Sequence, residues 1–122
     1  MLDVRVVEGR SFARTVYLSG RLTGETVDAL EQVLARIVAS PARVVVFDLA
    51  QLDYISSAGL RSFFGMQKVM AQRNGRAVLL SPKPHVQKVL EIANAADLTA
   101  VYATAADLDR YLDSLQSENP SS

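Results

Sequence analysis

The spacing of apolar residues changes several times along this chain, and each change marks a new element. Val4, Val6 and Val7 make a short first strand, and the strand-favouring Thr15, Val16, Tyr17 and Leu18 make a second from Ala13 to Ser19. Glu8-Gly9-Arg10-Ser11 between them reads as a turn, which predicts an antiparallel hairpin ended by Gly20. From Thr23 the period becomes helical: Val27, Leu30, Val33, Leu34, Ile37 and Val38 share one stripe. Thr23 is the expected N-cap, with Glu25 and Asp28 near the positive end of the helix dipole, and Ser40-Pro41 closes the helix. Arg43 to Leu49 is a β-branched run without alternation, the pattern of a strand covered on both faces.

A loop is expected next, leading to a second helix over Ser57 to Gln72. Its inner stripe is Leu60, Phe63, Phe64 and Met70, interrupted by Gln67, and Asn74-Gly75 stops it. Ala77 to Leu80 predicts another strand, and Val86, Val89, Leu90 and Ala93 a third helix. Val101-Tyr102 forms a last strand, and Leu108, Tyr111, Leu112 and Leu115 face inward from a final helix. The order β-β-α-β-α-β-α-β-α specifies an α/β fold: a mixed sheet with an N-terminal antiparallel hairpin and parallel crossovers, covered by four helices. One domain over residues 1–116 is expected, followed by a polar, disordered tail over 117–122.

The 122 residues, 49% of them hydrophobic and 21% charged, suffice for a core that needs no metal or disulfide. Cysteine is absent, in keeping with a reducing compartment. Thirteen basic residues balance thirteen acidic ones, so the cationic excess of a nucleic-acid binder is missing. The apolar runs are far shorter than the ~20 residues that span a bilayer. The start Met1-Leu2-Asp3-Val4-Arg5 lacks the pattern of a secretory signal, so the expected location is cytoplasmic, without membrane insertion.

Most catalytic chemistry finds no support. The single histidine, His85, sits at a predicted helix start as a capping or surface residue, and no metal-ligand set or cofactor pattern accompanies it. Gly59 and Gly65 stand alone rather than in a phosphate-binding loop, and Ser57 lacks the flanking glycines of a nucleophile elbow. A triad of Ser57, His85 and an aspartate can be drawn, but no motif supports it. What remains is the passage from Asp48 to Arg61, which joins a buried strand to a helix, where open α/β sheets place functional loops. Ser56 and Ser57 meet Ala58 and Gly59 there. One reading is structural: a serine N-cap and small residues for close packing. The other is regulatory, because a phosphate on a first-turn hydroxyl meets the positive end of the dipole and changes the surface without unfolding the domain.

The stretch DLAQLDYISSAGLRSFF resembles the signature of STAS-domain proteins, the anti-sigma factor antagonists of bacteria. In that family a strand ends in Asp or Asn, and after a short loop Asp-Ser-Ser/Ala-Gly-Leu opens a helix. SGRLTGETVDALEQ is similar to the family's second-strand-to-first-helix passage, and PHVQKVLEIANAADLTAVYATAADL to its C-terminal third. The resemblance covers roughly Ala13 to Leu115.

It implies a non-enzymatic partner-switching module. The unphosphorylated antagonist would bind an anti-sigma factor that is also a GHKL-type serine kinase. Phosphorylation at Ser57 would release it, and a serine phosphatase would reset it. Ser56 stands where the family has Asp, which makes it a second candidate acceptor. Asp48 matches the strand-end acidic residue and Thr23 the first helix cap, both structural roles near the site. The expected partner surface comprises Ser56, Ser57, Ala58, Gly59 and Arg61, with Arg61 supplying charge at the rim. Gly59→Arg is expected to block binding while leaving the backbone fold intact. No cofactor or metal is implied, and the free protein is expected to be a monomer. The alternative within the family is an unphosphorylated accessory subunit of a lipid-transport ATPase.

Overall fold

The computed structural model describes residues 1–9, 12–93 and 100–118. Strand β1 (Leu2–Glu8) pairs antiparallel with β2 (Ala13–Leu22) in an unbroken register. Then follow α1 (Val27–Val38), β3 (Val44–Ile55), α2 (Ser57–Ala71), β4 (Arg76–Leu80), α3 (Pro84–Ile92), β5 (Ala100–Tyr102) and α4 (Ala105–Glu118). The sheet order is β1-β2-β3-β4-β5, with every pair after the first parallel.

That order dictates the layers. Right-handed crossovers that always step in the same direction deliver their helices to one face of the sheet. Accordingly α1, α2 and α3 pack on one side, where Leu30, Leu34, Ile37, Phe63, Met66, Met70, Val86 and Leu90 meet Val45, Phe47, Leu49 and Leu79. The Phe47 and Phe63 rings pack at a tilt, with centroids 4.4 Å apart. The opposite face is covered by α4, whose Leu108 and Leu112 pack on Val44, Val46, Val78 and Leu80. Alternate residues of β3 and β4 therefore reach two different cores, which is why the sequence shows no polar alternation there.

Several boundaries differ from those read in the sequence, and four of them matter most. First, β2 continues through Gly20 to Leu22. Gly20 has φ +106°, and a Cβ on it would lie 2.2 Å from the Met1 carbonyl oxygen, so glycine here permits continuation rather than ending the strand. Second, β3 does not stop at Leu49 but runs to Ile55, leaving no loop before α2. Tyr17 pairs with Asp48 but Ser19 with Gln51, and Gly20 with Leu52 but Arg21 with Tyr54, so β3 carries an extra residue at two places. These bulges allow Leu49, Leu52 and Ile55, three residues apart, all to reach the same core. Third, α1 begins at Val27 with Thr26 at the N-cap position, and Val38 at its end is exposed. Fourth, α4 takes in residues 117 and 118, which the sequence assigns to the tail. The turn residues Arg10 and Ser11, the side chain of Leu115 and the segment 119–122 lie outside the described residues.

Within α2 the buried face is Gly59, Ser62, Phe63, Met66 and Met70, with Leu60 and Phe64 half-buried beside it. Gln67, the polar interruption, has a use: its Oε1 accepts a hydrogen bond from the Ala77 backbone N–H at 2.6 Å.

Candidate functional site

β3 delivers the chain directly into α2, and the two serines at the junction do different work. Ser56 is extended (φ −98°, ψ 174°), and its side chain accepts from the Gly59 backbone N–H at 3.4 Å. Its own N–H donates to the Leu22 carbonyl at 2.9 Å, anchoring the junction to the end of β2. Serine and aspartate are comparably good N-caps, so Ser56 can do the capping that an aspartate would do here. Ser57, the first helical residue, is exposed. The first turn of α2 carries no acidic side chain, so a negative charge at Ser57 meets the helix dipole without a neighbouring carboxylate in that turn.

Ala58 is half-buried and Arg61 exposed. Gly59 is buried, which places it in the close packing beside the expected partner surface. A Cβ there would come within 2.7 Å of Leu22 Cγ and Cδ2 and 3.0 Å of Ile55 Cγ1. Leu22 is fully buried, so moving it would disturb the core around it. Gly59 thus lets α2 dock closely on the ends of β2 and β3 and so sets the position of Ser57. An arginine at this position would meet the same atoms, so Gly59→Arg is expected to disturb this packing as well as binding. Even Gly59→Ala should destabilise by about 1–3 kcal/mol through overpacking, measured by chemical denaturation. A neutral result would show that the helix can lift without cost.

Thr23 does not cap α1. Its Oγ1 accepts from Glu25 N–H at 3.1 Å in a turn before the helix, while Thr26 Oγ1 accepts from Thr23 N–H at 2.9 Å and donates to the Arg21 carbonyl at 2.8 Å. The turn forms because the Thr23 carbonyl accepts from both Thr26 and Val27 N–H groups. Asp48 lies in the first β3 bulge, where Oδ1 accepts from Ala50 N–H at 3.0 Å. Its β2 partner Tyr17 lies five residues before Leu22, the partner of Ile55, so at ~3.3 Å per residue Asp48 sits roughly 17 Å from the end of the strand and helps shape the sheet there.

The ends of β2 and β3 and the start of α3 bring further residues together. Tyr54 is 41% exposed, and the Arg21 guanidinium lies over its ring at 4.4 Å from the centroid. Arg21 and Tyr54 are paired only because of the second bulge, so neither sequence neighbourhood signals the other. Lys83 Nζ donates to Asp53 Oδ1 at 2.5 Å, and His85 Nε2 approaches the Asp53 carbonyl oxygen. This ties the start of α3 to the end of β3 and confirms His85 as a surface residue.

The Lys83 hydrogen bond, and then its charge, hold the Asp53 carboxyl below the usual carboxylate range, with smaller help from His85 and Arg21. Because the folded-state value is lowered, the pair contributes at pH above the ordinary carboxylate value. That contribution is lost as pH falls through the folded-state value. Lys83→Ala should raise the Asp53 midpoint in a carboxyl-carbon NMR titration. An unchanged midpoint would assign the lowering to another group.

Among the described residues no three His, Cys, Asp or Glu side chains come together to hold a metal, and no helix is long and apolar enough to cross a membrane. The fold and site define a small α/β module that presents an exposed serine at a helix entry. The chain belongs to the STAS domain family, whose model matches residues 3–108. It is 45% identical over 76 residues to a Bordetella bronchiseptica protein named as anti-sigma factor antagonist BtrV, a match covering 62% of this chain and 66% of that one. The anti-sigma factor antagonist SpoIIAA in its unphosphorylated form superposes with a TM-score of 0.79 at 17% identity, over 91% of this chain and 97% of that one. The phosphorylated form of Bacillus SpoIIAA gives 0.71 at 16% identity, over 89% and 99%. At these identities the two structures establish the shared fold, including the antiparallel first pair and parallel remainder.

Proposed function

We propose that this protein is an anti-sigma factor antagonist that acts by contact rather than catalysis, and that Ser57 is its switch. In this reading the unphosphorylated protein binds an anti-sigma factor with serine kinase activity through the start of α2, with Arg61 at the rim. Phosphate on Ser57 dissociates the complex and a serine phosphatase restores it. The observation that carries the reading is the division of labour between the serines: Ser56 is half-buried and engaged as the helix cap, whereas Ser57 is exposed at the dipole's positive end. Support comes also from the name of the Bordetella relative and from the existence of SpoIIAA in unphosphorylated and phosphorylated forms.

The direct test is to recover the partner by affinity capture, incubate it with this protein and ATP, and map the phosphate by mass spectrometry. Capture of a kinase and modification of Ser57 are expected. Capture of a transporter ATPase, or phosphate on Ser56 alone, would overturn the assignment.

A further inference from the structure

β1 is the edge of the sheet: it pairs with β2 on one side, and among the described residues no strand pairs with the other. The backbone directions on that free side follow from one hydrogen bond. Arg21 N–H donates to the Met1 carbonyl at 3.0 Å, which makes Met1 and Arg21 an inward-bonded pair continuing the β1–β2 register. Inward and outward residues alternate along an antiparallel strand. Met1, Asp3, Arg5 and Val7 therefore direct their backbone groups at β2, while Leu2, Val4, Val6 and Glu8 direct theirs away from the sheet. An edge strand with no proline, lysine or bulge is a template for another strand.

The side chains of β1 select which strand fits. For two antiparallel copies of this edge, outward residues must face outward residues, so the two-fold axis falls on a residue. An axis at Arg5 opposes the two Arg5 side chains and sets Asp3 against Val7. An axis at Asp3 opposes two carboxylates, and one at Val6 sets Arg5 against Val7 and Val4 against Glu8. Only the axis at Val4 matches every pair: Asp3 with Arg5 on both sides of the axis, Leu2 with Val6, Met1 with Val7, and Val4 with itself. Opposite charges and apolar pairs directly across a ladder stabilise it, and like charges oppose it.

We propose that the free edge of β1 is a homodimer surface, joining two copies of this chain about a two-fold axis at Val4 into one continuous sheet. This departs from the monomer expected from the sequence. The pairing covers Met1, Val6 and Val7, which are 94%, 37% and 39% exposed in the single chain. Arg5 is already held on its face of the strand, over Tyr17 at 4.7 Å from the ring centroid. About six new backbone hydrogen bonds close across the axis. A single strand pair buries less than a standard interface, so the dimer is weak and concentration-dependent. Ser57 follows β3, with β2 between it and this edge, so the inference does not rest on the proposed function.

Sedimentation equilibrium tests it. The parent should rise from 13.3 kDa toward twice that mass as its concentration increases from roughly 1 µM to several hundred µM. Asp3→Arg and Arg5→Asp each place like charges opposite one another at two positions and should weaken association by about tenfold. The double swap, Asp3→Arg with Arg5→Asp, recreates the matched pairs and should recover it. Val4→Pro removes an outward N–H and part of the Val4 packing on the core; edge strands accept proline, so the variant should still fold, as far-UV circular dichroism will show, while the dimer is lost. A parent that stays at 13.3 kDa throughout, single reversals that associate as tightly as the parent, or a double swap without recovery would overturn the proposal.

Discussion

Ser57→Asp is expected to fold normally and to bind the proposed kinase partner more than about a hundredfold more weakly than the parent, a penalty of about 3 kcal/mol. The direction follows from electrostatics. In the free protein a negative charge at Ser57 is stabilised by the amino end of α2 and by water, and no acidic side chain in the first turn opposes it. In the complex the charge would face a surface shaped for a hydroxyl and lose its hydration, a cost confined to the bound state. Ser57→Ala should bind and accept no phosphate. Ser56→Ala should still be phosphorylated at Ser57, while losing about 0.5–2 kcal/mol of stability with its cap. Calorimetric affinities and denaturation curves for the three variants separate these effects. Ser57→Asp binding as tightly as the parent would end the switch assignment.

Leu30→Ala should cost about 2–5 kcal/mol in chemical denaturation, through lost burial and the cavity left behind. Leu30 is fully buried at the centre of the α1 stripe, in the main core. Val38, on the same stripe by sequence, supplies the control: it is 36% exposed at the end of α1, and Val38→Ala should change stability by about half a kcal/mol or less. Equal effects at the two positions would show that α1 is rotated or longer than described.

The covered strands and the helix stripes were legible because burial imposes a period that composition displays. Val44 to Phe47 lacks alternation because α1–α3 and α4 cover opposite faces, and Leu30, Leu34 and Ile37 recur because one side of α1 is buried. The serines at the entry of α2 were legible too, since capping chemistry is local. The extent of β2 and β3 was not. Two bulges shift the register, so the mixed stretch from Asp48 to Tyr54 is strand although its apolar residues do not alternate.

Ser57 as a candidate and the α/β order of elements are properties of the sequence, because a helix start and a buried strand each rest on residues close together in the chain. The tertiary structure decided between the two readings of Gly59 and showed what it packs on, because its neighbour Leu22 lies on another strand. It decided likewise that Arg21 stacks on Tyr54 and that Lys83 holds Asp53. Each of these contacts joins residues far apart in the chain, and their meeting depends on sheet register and helix docking, which no local period encodes.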